Sequence, residues 1–247
     1  MLKSKRLIIK ILTFFRLFPC ISYTRTPFKI YEYLELLKGV IISKDDVILD
    51  IGCGLGLQTM LLGMKCKKVY GIDISQEAID ETKFISNLLR KRINSEICCV
   101  KLENAKFGNE TFDKIFSFSV IEHIPNYVEV LKEAYRTLKH NGMMIFSVDS
   151  LRNIPDELLE KHKKQYFVQK YFDKNELQLI LSEIGFRSND CYYIFRSNYA
   201  KDLFIKGLNI NFRFGFLYSI IACSILKIKE LRCNADSGIF LVVKCIK

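Results

Sequence analysis

Residues 47 to 56 read Val-Ile-Leu-Asp-Ile-Gly-Cys-Gly-Leu-Gly, an apolar β-type run that passes straight into three glycines spaced two apart. Gly52, Gly54 and Gly56 carry no Cβ, so the backbone there can turn sharply and lie close against a ligand. The run before them suits a strand covered on both faces, and the residues from Leu57 onward suit a helix. A dinucleotide fingerprint would need its third glycine at position 57, where this chain has Leu57. No Gly-Lys-Ser/Thr follows, which excludes a P-loop.

Around this turn the pattern alternates. Val47 to Ile51, Lys68 to Ile72, Ile97 to Lys101, Lys114 to Phe118 and Met143 to Val148 read as five short apolar strands. Helices are predicted between them at about 57 to 65, 76 to 92 and 126 to 139, so the unit is βαβ and the sheet parallel. Ser75 is the N-cap expected for the second helix, and Asn141-Gly142 the expected stop of the third. Further on, a lysine-rich helix is predicted near 155 to 164. A second follows, with a capping box at Asp173 and Glu176 and an end at Gly185. Residues 190 to 195 and 238 to 246 read as two more strands.

Asp73 ends the second strand, in Val-Tyr-Gly-Ile-Asp73-Ile74-Ser75. A carboxylate at that edge, beside the first strand, can accept hydrogen bonds from both hydroxyls of a ribose. Loop, acid and βαβ context together carry far more than the loop alone.

With these residues the chain resembles the class I S-adenosylmethionine-dependent methyltransferases, in particular the broad group that includes ubiquinone-biosynthesis and many small-molecule enzymes. The likeness covers about residues 45 to 150 well and the later helix and strands more loosely. It implies a doubly wound, Rossmann-like α/β fold. The sheet would have seven strands, mostly parallel with the last antiparallel, and helices on both faces. The cofactor it implies is S-adenosylmethionine. Asp50, Gly52, Cys53, Gly54 and Gly56 would face its methionine portion, and Asp73 with Ile74 the ribose. The family's acid after the third strand, which meets the adenine amino group, has Glu103 and Asn104 as candidates here, and Asn104 is favoured by its adjacency to Ala105. Thr111 to Ile124 resembles the fourth strand and its loop, which brings Ser117 into the cofactor set, and Leu131 to Gly142 resembles the helix and turn before the fifth strand.

Methyl transfer from a sulfonium is an in-line displacement, so the protein mainly orients the two reactants and excludes water. A hydroxyl acceptor gains from a base. His123 is the candidate, against the plainer reading that Glu122 and His123 orient the next helix. His162 and Tyr166 either line an acceptor pocket or sit on a solvent-facing basic helix. Cys53 reads as a small packing residue.

Residues 1 to 24 form a basic amphipathic start, with Lys3, Lys5, Arg6, Lys10 and Arg16 among Leu7, Ile8, Ile11, Leu12, Phe14, Phe15 and Phe18. Its apolar runs fall far short of the ~18 to 20 residues that span a bilayer. Two readings stay open, contact with an anionic membrane surface and a lid over the cofactor site. Phe214 to Leu226 is equally open between lipid contact, a dimer interface and internal packing. Residues 1 to 44 are read as a helical cap and 45 to 247 as the methyltransferase domain, with a helical apolar insertion at about 196 to 237.

Nine cysteines without a Cys-x-x-Cys pair, and three histidines without ligand spacing to them, predict no metal site and reduced thiols in a cytoplasmic protein, with the inner membrane surface left open as a place of contact. A formal charge of +11 favours anionic partners without choosing among them. The acceptor is therefore read as a small or lipid-linked molecule methylated at oxygen. The alternatives are an RNA methyltransferase, against which stands the absence of an Asn-Pro-Pro-Tyr-type motif after the fourth strand, and a non-catalytic binding protein of the same fold.

Overall fold

The computed structural model describes residues 2–19, 26–152, 154–233 and 235–247; Cys20 and residues 21 to 24 of the amphipathic start lie outside them. Seven strands, β1 (Val47–Ile51), β2 (Lys68–Asp73), β3 (Ser95–Cys99), β4 (Phe112–Phe118), β5 (Leu138–Asp149), β6 (Arg187–Ile194) and β7 (Phe240–Ile246), form one sheet in the order β3-β2-β1-β4-β5-β7-β6. β7 runs antiparallel to both its neighbours, and the pairings among β1 to β5 are parallel. This is the doubly wound sheet that the sequence led us to expect.

Side-chain alternation explains the layers. Ile48, Val69, Phe116, Ile145 and Val242 point to one face, where they join buried residues of α2 (Pro27–Leu37), α4 (Gln76–Leu89), α8 (Asn198–Asn209) and α9 (Phe216–Leu231). Leu49, Ile72, Ile115, Met144 and Val243 point to the other, under Val130, Leu131 and Ala134 of α5 (Tyr127–Thr137) and Leu177 and Leu181 of α7 (Lys174–Ile184). α3 (Leu57–Gly63) and α6 (Asp156–Tyr166) complete the links.

The caps follow the sequence closely. Ser75 Oγ accepts from Ala78 N at 3.3 Å, and Asp173 accepts from the amides of Asn175 and Glu176 at 2.8 and 3.3 Å. Glu176 turns instead to Lys170, whose ammonium is the stronger partner. α5 does not run on to Asn141-Gly142. It stops at Thr137 because Leu138 is already extended, fully buried and paired with Phe112, and Asn141 (φ 60°) and Gly142 make a turn inside β5 where its register with β4 shifts.

The amphipathic start forms α1 (Leu2–Phe14), which docks on α4. Arg6 pairs with Glu81 and lies 4.7 Å over the Phe84 ring, and Arg92 donates to the Phe18 carbonyl at 3.1 Å. Among the described residues of this start, none lines the cavity beside the glycine loop. Its outer side leaves Leu7, Ile11, Phe14 and Phe15 exposed. The apolar run near 214 to 226 becomes α9, which buries Ala222, Cys223 and Leu226 against the chain and exposes Leu217, Ile220 and Ile221. Among the described residues no helix is long and apolar enough to cross a membrane.

Candidate functional site

Strand order reverses between β1 and β4, and in open α/β sheets that switch point leaves a crevice beyond the carboxyl ends of the strands. The glycine loop lies in this crevice. Its first residues stay tied to the neighbouring strand, with Gly52 N and Cys53 N both donating to Ile72 O at 2.8 and 2.9 Å. The backbone then passes through positive φ at Gly52 (71°), Gly54 (50°) and Gly56 (77°). A Cβ on Gly52 would stand 2.4 Å from Val120 Cγ2, whereas one on Gly54 would meet nothing within 4 Å. The first glycine lets the chain pack; the second leaves an open face.

Asp73 braces the loop. Its Oδ2 accepts from Gly54 N at 2.8 Å and its Oδ1 from Ser75 N at 2.9 Å. An ionised carboxylate offers about four lone-pair sites, so each oxygen keeps capacity for a ligand hydroxyl. Asp50 behaves differently. It is buried beneath the loop, with Oδ2 accepting from Thr59 Oγ1 at 2.6 Å and Oδ1 without a hydrogen-bond partner among the described residues. Burial pushes its carboxyl up to about 7 against the Thr59 hydrogen bond, and the nearby charge of Asp73 adds to the rise.

Above the loop a cavity of about 370 Å³ brings together Gly52, Asp73, Ile74, Glu103 and His123 of the residues expected from the sequence. The others stay outside its lining. Asp50, Cys53 and Ser117 are buried in or under the sheet, and Gly54 and Gly56 border the loop without entering the lining. Asn104 is exposed at the end of a single 3₁₀ turn, Leu102–Asn104, which presents Glu103 instead, its Oε1 accepting from Asn126 Nδ2 at 3.1 Å. Of the two candidates, Glu103 lines the cavity and Asn104 does not. The sequence reading missed the apolar wall, chiefly Leu102, Val120, Ile124 and Val130. A wider groove of about 1000 Å³ between α2, the start of α7 and α9 contains no residue of the loop.

A second cavity, about 220 Å³, shares His123 with the first. Lys29, Glu122, Asp149, His162 and Tyr166 line it together with four phenylalanines. His162, which the sequence left between pocket and solvent, is buried here and its Nδ1 lies 3.1 Å from the Tyr171 hydroxyl. Burial lowers the pKa of His123, with its imidazole close to backbone groups of Phe167 and Tyr166 that oppose the shift. A neutral imidazole at the junction of two cavities can take up a proton. The eight cysteines among the described residues are free, and no cluster of His, Cys, Asp and Glu there has the arrangement of a metal site.

Comparison with known proteins places the fold among methyltransferases. Residues 49–146 match the family described as methyltransferase domain. The chain is 28% identical over 166 residues to a tRNA U34 carboxymethyltransferase of Aliarcobacter butzleri, covering 60% of this chain and 54% of that protein. It is 28% identical over 114 residues to a ubiquinone biosynthesis O-methyltransferase of Coxiella burnetii, covering 46% and 48%. This chain thus spans about half the length of these curated relatives. Among solved structures, phosphoethanolamine N-methyltransferase 2 of Haemonchus contortus in complex with S-adenosyl-L-methionine superposes with a TM-score of 0.62 at 16% identity, covering 92% of this chain and 58% of that one.

Proposed function

We propose that this chain, whose residues 49–146 match a methyltransferase domain, is a class I S-adenosylmethionine-dependent methyltransferase that transfers the methyl group of S-adenosylmethionine to a small or lipid-linked acceptor. The observation that carries the reading is the pairing of an open-faced glycine turn with Asp73 at the mouth of an apolar cavity. The residues fit the cofactor. Asp73 would hold the ribose hydroxyls, Ile74, Leu102 and Val130 would enclose the base with Glu103 at its polar edge, and the backbone at Gly52 and Gly54 would lie against the methionine end. Bound there, S-adenosylmethionine supplies an electrophilic methyl on a sulfonium, a leaving group already in place. The chain's own part is to orient both reactants and keep water out.

The acceptor would occupy the second cavity, which meets the first at His123. Oxygen is our proposed accepting atom, with His123 as the base. S-adenosylmethionine should bind saturably in calorimetry, and label from the cofactor should enter small-molecule or lipid extracts of cells lacking the protein. No binding at millimolar cofactor would remove the proposal, and label entering only RNA would move the acceptor to the class named by the tRNA-directed relative.

A lipid-linked acceptor is supported by α1, whose exposed Leu7, Ile11, Phe14 and Phe15 are accompanied by exposed Lys10 and Arg16. A basic face with apolar side chains is the pattern of an interfacial helix. In flotation, the protein is expected to rise with vesicles containing phosphatidylserine and to stay below with phosphatidylcholine alone. A Leu7→Ser, Phe14→Ser variant should lose most of the bound fraction. Protein that remains at the bottom with both vesicles would exclude membrane contact through this helix.

A further inference from the structure

We propose that the cavity beside His123 takes an acceptor bearing an ammonium group, gripped by the carboxylates of Glu122 and Asp149. This deepens the methyltransferase reading and rests on it. Three acids converge here from separate elements: Glu32 of α2, Glu122 in the 3₁₀ turn Ile121–His123 after β4, and Asp149 at the end of β5, each at most 4% exposed. Lys29 is already engaged, its Nζ 2.8 Å from Glu32 Oε2 and donating to Phe118 O at 3.3 Å. The other oxygen of Glu32 accepts from Ser119 at 2.6 Å and from Ser147.

Glu122 has no such arrangement. It is fully buried, lines the cavity, and neither carboxylate oxygen has a hydrogen-bond partner among the described residues. The ring of His123 is 4.0 Å away, and Asp149 Oδ2 lies 3.8 Å from His162 Nε2. Burial drives His162 down to about 4, so it brings no charge near neutrality. A buried carboxyl group without a partner is costly, and an ammonium supplies both the opposite charge and three N–H donors.

The rest of the wall agrees. Phe28, Phe204, Phe212, Phe240 and Tyr166 surround the same space, and aromatic faces attract a desolvated cation. An anionic acceptor would meet two acids instead, and an acceptor with a hydroxyl but no ammonium would leave most of their oxygens unpaired; the accepting oxygen at His123 and the ammonium at the acids are separate groups of one molecule. Burial also pushes Asp149 up to about 7, opposed by Lys29 and reinforced by Glu32, and holds Glu122 well above the usual carboxylate range, with Asp149 adding to the effect. The groups facing this pair are Lys29 and Glu32 from α2, His123 from the turn, His162 and Tyr166 from α6, and Tyr171 from the segment before α7. A bound cation would draw the protons off both acids.

Three probes of nearly the same shape test the idea on the full chain: 2-phenylethylamine, 2-phenylethanol and phenylacetate, followed by saturation-transfer NMR and calorimetry. The amine is expected to bind at least about tenfold more tightly than the alcohol, and phenylacetate not at all. Its affinity should rise from about pH 6 to about pH 8 as Asp149 ionises. The preference should shrink towards parity in Glu122→Gln and in Asp149→Asn, with thermal melts confirming that each is folded. The wild-type comparison decides the matter even if a variant fails to fold. Alcohol binding equal to or tighter than the amine overturns the proposal, as does saturable Mn²⁺ binding that Glu122→Gln abolishes in place of any amine preference. Titration of the wild type with S-adenosylmethionine is a separate readout, so a failure of the methyltransferase reading shows as lost cofactor binding whichever probe the second cavity prefers.

Discussion

Replacing Asp73 with Ala is expected to weaken S-adenosylmethionine binding by about 100-fold or more, the largest loss of affinity from any single side chain in the site. A hydrogen bond to a charged group contributes about 1.5 to 3 kcal/mol, and two ribose hydroxyls on one carboxylate therefore account for a factor between about 10² and 10⁴. The substitution also strips the amides of Gly54 and Ser75 of their acceptor, so the loop loses the brace that fixes its shape before a ligand arrives. Asp73→Asn separates the two contributions. An amide keeps one acceptor oxygen but puts two N–H donors where Gly54 N or Ser75 N now donates, so its affinity should fall between wild type and Asp73→Ala. Calorimetry on all three proteins measures this. Affinity in Asp73→Ala within about threefold of wild type would mean that the sugar is held elsewhere and that the cavity has been misassigned.

Asp73 was legible in the sequence because its position depends only on local order: a strand of known length, beside another, ending in an acid. The glycine turn and the caps at Ser75 and Asp173 share that property, whereas the antiparallel direction of the last strand came only from the family resemblance. Glu103 was not legible in the same way. Glu103 and Asn104 are adjacent in a 3₁₀ turn, and which of them faces the cavity is set by how Leu102 buries beneath α5. Ser117, whose register opposite Ile51 within the sheet leaves it fully buried, lies away from the cavity lining. The apolar wall at Val120 and Ile124 was missed because apolar residues after a strand read equally well as core. The acids Glu32, Glu122 and Asp149 are far apart in sequence; the pairing of β4 with β5 brings Glu122 and Asp149 together, and the packing of α2 on β5 adds Glu32. The docking of α1 on α4 likewise involves the Arg6–Glu81 ion pair and the cations of Arg6 and Lys10 over the Phe84 ring, contacts that no periodicity announces.

Gly52→Ala is expected to cost the most stability, and its comparison with Gly54→Ala should divide packing from binding in a single loop. Both positions have positive φ, 71° and 50°, so each alanine incurs about 1 to 2 kcal/mol from the left-handed backbone alone. At Gly52 the new methyl also lands 2.4 Å from Val120 Cγ2 and 2.6 Å from Cγ1, inside the sheet's edge. Overpacking of that kind adds about 1 to 3 kcal/mol. For a chain of this size 1 kcal/mol is about 2 to 4 °C in melting temperature, so Gly52→Ala should melt about 5 to 15 °C lower. Gly54→Ala, with nothing within 4 Å of its Cβ, should melt only a few degrees lower and yet lose cofactor affinity, because the open face is where the ligand's backbone contact would lie. Trimming Val120 to Ala in the Gly52→Ala background relieves the collision but not the dihedral strain, so it should restore part of the melting temperature and no more. If Gly52→Ala melts with wild type, or if Val120→Ala restores nothing, then the approach of the turn to the segment after β4 is looser than described. The distinction between a glycine that packing requires and one with an open face would then fail with it.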